Sequence, residues 1–91
     1  MKKQYEDRYD GGFDYEGRTI KFIVKDDDHF KEIAKKDGTK ELSRRIEFYE
    51  DREFLDIVTI CYDIPRAYNI SPADASEEFI RFDVYKKLKK K

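Results

Sequence analysis

The hydrophobic positions of this chain concentrate in Phe54-Leu-Asp-Ile-Val-Thr-Ile-Cys-Tyr-Asp-Ile64, where eight of eleven residues are apolar or aromatic. β-Branched Ile57, Val58, Thr59, Ile60 and Ile64 dominate it, and such side chains lose rotamer freedom in a helix but pack well on a pleated surface. The stretch therefore predicts a strand, and its density of apolar residues predicts a central one. Phe54, Val58, Ile60, Tyr62 and Ile64 form one alternating set, interrupted by Asp56. Leu55, Ile57, Thr59 and Cys61 form the other, so both faces are expected to be covered. A helix over Glu41–Tyr62 is the competing reading, with Leu42, Ile46, Tyr49, Ile57 and Cys61 near one face, but Glu50-Asp51-Arg52-Glu53 breaks that stripe.

The same pattern organises the rest of the chain. Ser43–Glu50 alternates with Ile46 and Phe48 on one side and Arg45, Glu47 and Tyr49 on the other, the signature of a half-buried strand. Glu50-Asp51-Arg52-Glu53 then turns it into the apolar strand, forming a hairpin. An earlier hairpin is predicted from Phe13 to Val24, with Glu16-Gly17 at the turn. Asp10-Gly11-Gly12 reads as a turn, and the polar residues before it as an edge strand or loose arm.

Phe30, Ile33 and Ala34 recur at helical spacing, with Asp27 or Asp28 as N-cap, Lys35 and Lys36 at the far end and Gly38 closing the helix. Ser71-Pro72-Ala73-Asp74 is a second helix start, with Ser71 as N-cap and Asp74 reaching back. A short helix over 72–77 followed by a strand over 79–86 is the preferred continuation. The fold class expected is therefore α+β: a small single domain over 1–91, with a mainly antiparallel sheet of two hairpins plus a C-terminal strand, and one helix packed on one face.

Composition narrows the function classes. With 38% apolar and 15% aromatic residues, 91 residues can bury one modest core. No run is long and apolar enough to span a bilayer, and the first residues lack the apolar segment of a signal peptide. A cytoplasmic protein is expected, without a membrane partner. The lone Cys61 excludes an intrachain disulfide and, lying in the apolar strand, is expected to be buried and inert. The net charge of −1 conceals a polarised layout: five lysines lie within 86–91, which leaves −6 on residues 1–85. An acidic body disfavours a broad phosphate-binding face, while the basic tail is expected to be mobile.

Candidate chemistry is sparse. Asp26, Asp27, Asp28 and His29 carry metal-ligand side chains, but consecutive residues do not readily converge on one ion, and an acidic helix cap explains them better. His29 as base for Ser43, Ser71, Ser76 or Cys61 finds no supporting arrangement. The glycines match neither the dinucleotide pattern nor the P-loop. No catalytic residue, metal site or cofactor is therefore expected, and the protein is read as non-enzymatic.

The seven tyrosines are more informative, since tyrosine offers rigid contact area with a polar tip. The expectation is a protein-binding module, an inhibitor or accessory factor covering a basic, nucleic-acid-binding surface of another protein. Glu47, Tyr49, Glu50, Asp51 and Glu53 are the partner-binding candidates, with the three acids of the turn expected to be exposed. The alternative is a nucleic-acid-binding protein using Lys86, Lys87, Lys89, Lys90 and Lys91 together with exposed aromatics.

Overall fold

The alternation over Ser43–Glu50 becomes the spine of the molecule. The computed structural model describes residues 9–26, 32–34, 38 and 40–89. β1 (Gly11–Tyr15) pairs with β2 (Arg18–Asp26), β2 pairs with one edge of β4 (Lys40–Glu50), and β5 (Glu53–Asp63) pairs with the other edge, all antiparallel. β3 (Glu32–Ala34) pairs with β4 at Lys40–Leu42, beyond the point where β2 leaves it at Arg44. Because β5 holds the opposite edge of those same residues, β3 continues the line of β2 after an interruption. The sheet is an antiparallel meander, four strands wide, with helices on one face: an α+β domain.

Two expectations are corrected by this layout. The helix predicted around Phe30–Ala34 is overturned at Glu32–Ala34, the part of it that is described. Three apolar residues over one turn are too short a pattern to separate the two periods, and the long β4 offers an open backbone edge there that a strand satisfies. Gly38, between β3 and β4, adopts φ +89°, a left-handed backbone that glycine takes without steric cost. The central strand is β4, and among the described residues β5 has a strand neighbour on one side only. The remainder of the predicted helix, including Asp27, Asp28, His29, Phe30, Lys35 and Lys36, lies outside the described residues.

Both predicted hairpin turns form, each with two left-handed residues: Glu16 and Gly17 at φ 49° and 82°, Asp51 and Arg52 at φ 50° and 69°. This backbone matches the twist of the strands it joins. Gly11 and Gly12 lie inside β1 instead of forming a turn. A Cβ on Gly11 would meet the Phe22 ring at 2.9 Å, and one on Gly12 the Ile20 carbonyl oxygen at 2.9 Å, so these glycines permit close packing.

Side chains opposite one another share a face, which puts Ile20 and Phe22 of β2, Leu42, Ile46 and Phe48 of β4, and Val58, Ile60 and Tyr62 of β5 on the covered side. The cover comes from α1 (Ile64–Ala67), α2 (Pro72–Arg81) and a 3-10 turn over Val84–Lys87, which contribute Ala67, Ala75, Phe79 and Val84. Phe79 is the centre of an aromatic cluster, edge-on to Phe13 and Phe48 at 5.3 Å and to Tyr15 at 5.2 Å.

The start of α2 follows the sequence closely. The Ser71 hydroxyl accepts from the Asp74 amide at 3.2 Å while the Asp74 carboxylate accepts from the Ser71 amide at 3.1 Å, a reciprocal cap. Its length does not: the helix runs to Arg81, and the strand expected over 79–86 is overturned. Ala75 and Phe79, four residues apart, form the buried stripe, while Ile80 and Phe82, which suggested alternation, stay exposed. Leu88 packs against the core, Lys86 pairs with Asp83, and Lys89 with Glu53 at 2.6 Å. The described part of the basic segment thus touches the body of the chain through Leu88 and these two ion pairs, and Lys90 and Lys91 lie outside the described residues. Among the described residues no helix is long and apolar enough to cross a membrane.

Candidate functional site

All the helices lie on one side, so the other face of the sheet is uncovered by any described element. Its side chains form rows across β2, β4 and β5: Lys21, Tyr49 and Phe54 in one, Ile23, Glu47 and Ile57 in the next, Lys25, Arg45 and Thr59 beyond. The Tyr9 ring stands edge-on to Tyr49 at 5.4 Å, and Tyr49 edge-on to Phe54 at 5.6 Å, giving an aromatic row along one end of the face. Lys21 lies over Tyr9, 5.9 Å from the ring centroid. Beside the row is an open depression of about 590 Å³, lined by Tyr9, Thr19, Lys21, Asp51 and Arg52.

Phe54 reaches this face through an irregularity in the pairing. Ile46 is opposite Val58 and Phe48 opposite Asp56, but Tyr49 is opposite Phe54, so Leu55 is an extra residue on β5. A bulge of this kind reverses the facing of what lies beyond it. Leu55 packs against the core, and Phe54, assigned to the buried set by simple alternation, is instead 51% exposed. Ile57, Thr59 and Cys61 share the uncovered face and are exposed. The expectation of a buried Cys61 is thereby corrected: among the described residues no second layer lies over that face, and the alternate set of β5 is exposed.

The five residues singled out as partner-binding separate. Glu47 and Tyr49 do face outward, and the Tyr49 hydroxyl donates to the Glu47 carboxylate at 2.9 Å, with Lys25 3.6 Å from the same group. Glu50 does not belong with them. It is only 9% exposed and accepts two hydrogen bonds from the Arg18 guanidinium, both at 2.7 Å. The bond to Glu50 raises the Arg18 pKa, ahead of the opposing effect of burial. The parity of β4 puts Glu50 on the covered side with Ile46 and Phe48, and Arg18, at the start of β2, meets it there. Asp51 is exposed at the turn, and Glu53 is held by Lys89, whose pKa the contact raises.

On the covered face, a polar network ties the helices to the sheet. The Tyr62 hydroxyl donates to buried Glu78 at 2.7 Å, and Arg66 lies 4.1 Å from the Tyr62 ring centroid while donating to Asp74 at 2.6 Å. Burial, then the Glu78 carboxylate, pushes the Tyr62 phenol well above its ordinary range. Burial would raise the Asp74 carboxyl too, but Arg66 and the amide and hydroxyl of Ser71 outweigh it and hold the group below the usual carboxylate range. Arg44 reaches the Ala67 carbonyl at 2.8 Å, capping α1. These contacts hold the cover in place.

Among the described residues no group of three or more His, Cys, Asp or Glu side chains is arranged to hold a metal ion. The Asp26–His29 cluster falls largely outside them, and Ser71 is occupied as a cap. No protein family, curated protein or solved structure matches the chain.

Sequence reasoning placed Tyr49 and Glu47 on the outward face of their strand but did not bring Phe54, Ile57, Tyr9 and Lys21 to the same face. The hairpin register alone, counted back from the Asp51-Arg52 turn, pairs Tyr49 with Phe54 and would have exposed the inconsistency with simple alternation.

Proposed function

We propose that this protein is a non-enzymatic protein-binding module that works by occupying a partner's surface, with the uncovered sheet face as its contact surface. The observation that carries this reading is the bulge at Leu55, which turns Phe54 outward beside Tyr49 although the core stands ready on the other side. Bulges that re-aim a side chain recur at working surfaces, and clustered exposed aromatics supply the anchors on which interface energy concentrates. Tyr49 is held by Tyr9 and Glu47, so part of its ordering cost is met before any partner arrives.

Glu47, Asp51 and Glu53 rim this row, and a partner with a basic surface suits them, as an inhibitor or accessory factor of a nucleic-acid-binding protein would require. Glu47 and Glu53 already have lysine neighbours within the chain, so the acids contribute steering and the aromatics the holding. The test compares wild type with Phe54→Lys and Tyr49→Ala as baits in nuclease-treated lysate. A protein retained by the wild type and lost from both variants, each still melting cooperatively, supports the reading. Equal retention by all three removes it.

A second reading rests on Lys21 and Lys25, which stand on the same face as Tyr49 and Phe54 in the manner of a stacking platform for single-stranded nucleic acid. In that case capture disappears on nuclease treatment, and a fluorescent oligonucleotide binds with an affinity that falls steeply with salt.

A further inference from the structure

Within the described residues nothing pairs with the outer edge of β5, and that edge is unusually unguarded. Ile57-Val-Thr-Ile-Cys-Tyr62 contains no charge, proline or glycine, whereas open edges are ordinarily blunted by lysine, proline or a bulge. The one bulge of this hairpin lies at Leu55, off the end of the run. High strand propensity, low charge and an open backbone ladder make a strand that accepts another strand.

We propose that this edge pairs with β5 of a second copy of the chain, antiparallel about Thr59, to give one continuous sheet eight strands wide. The occupant follows from parity and charge. For the covered faces of both copies to lie on the same side, opposed residues must share parity, so the two-fold axis must pass through a residue. Centred on Val58, the pairing would place Glu53 opposite Asp63 twice, and like charges directly opposed are destabilising. Centred on Ile60, it would pair only residues 57–63 of each strand, against 55–63 when centred on Thr59. Centred on Thr59, it sets Ile57 opposite Cys61, Val58 opposite Ile60 and Asp56 opposite Tyr62, with no like charges facing each other. The run is complementary to itself in that register, and the uncovered faces of the two copies join into one.

Thr59 is exposed and, in this register, faces its own counterpart, which makes it the test position. Sedimentation velocity over a range of concentrations should show the wild type passing from the 11.0 kDa chain to a dimer. Thr59→Lys should weaken the dimer by about tenfold or more, as should Thr59→Glu, by opposing like charges at the axis. Mixing the two variants should restore the dimer. Separately, Ile57→Cys should cross-link through the introduced thiol and Cys61 of the second copy under mild oxidation, because opposed residues lie within disulfide reach. Wild-type Cys61 alone should not, since the two thiols would be offset by four residues, roughly 13 Å. A wild type that stays monomeric overturns the proposal. So does a dimer that neither charge variant weakens, because its interface then lies elsewhere. Loss of partner binding by Phe54→Lys with the dimer intact would leave this inference standing on its own.

Discussion

Glu50 and Asp51 are adjacent acids with opposite roles, because one ends a strand and the other begins a turn. Glu50 points to the covered side and holds Arg18 through two short bonds, while Asp51 lies in solvent. Glu50→Ala should lower the melting temperature by several degrees, since it strands a guanidinium against a mostly buried surface. Asp51→Ala should change it little. Thermal unfolding by circular dichroism checks both, and equal effects would contradict the placement.

Asp74 adds a pH dependence. Its carboxyl ionises below its ordinary value in the folded chain, so the stability it contributes is present above the unfolded value of about 3.9 and is lost as pH falls through the folded one. Asp74→Asn should therefore lower stability at neutral pH by about 1 kcal/mol, the worth of a helix cap, and the difference from wild type should shrink in acid. Parallel melting curves from pH 7 to 3 would show it.

At the scale of elements, β5 decides how much could be read in advance. Its type, its limits and its partner in the hairpin were legible, because β-branched density and the four charged residues at 50–53 carry that information locally. Its coverage was not. Ile57, Thr59 and Cys61 are uncharged, so nothing in their chemistry distinguishes a face open to solvent from one under a second layer; that depends on where the helices fall. The bulge hid Phe54 for a related reason, since alternation counts residues and a bulge adds one.

The consequence is a sharp contrast between neighbours. Ile60→Asp should unfold the domain, because Ile60 is 5% exposed and an unpaired charge there costs several kcal/mol against a total of about 5–15. Ile57→Asp, at 36% exposure, should leave a cooperative melt. At concentrations where the chain is monomeric, Cys61 should react with a thiol reagent nearly as fast in the native protein as in denaturant, and slow native labelling there would show that the face is covered. The same dependence on distant cover explains the end of the chain. The Ser71–Asp74 cap was legible as a local motif, whereas the extent of α2 was fixed by what Phe79 could reach across the sheet.

The whole molecule is a slab of 47 × 30 × 20 Å with one finished side. Every strand pairs with a neighbour close in sequence, but the finish is supplied from the far end, with α2 against β1 some sixty residues away. On a chain made from its N-terminus, the meander is complete once Asp63 has emerged, while Phe13, Phe22 and Phe48 have no lid until Phe79 arrives. Local pairing is fast and distant docking slower, so the stage expected before Phe79 arrives is a sticky, half-finished sheet. A chain stopped at residue 70 should remain at that stage. It should keep strand signal in circular dichroism, bind a hydrophobic dye and self-associate, and a synthetic peptide spanning 71–89 added in trans should quench the dye and return the sheet to solution.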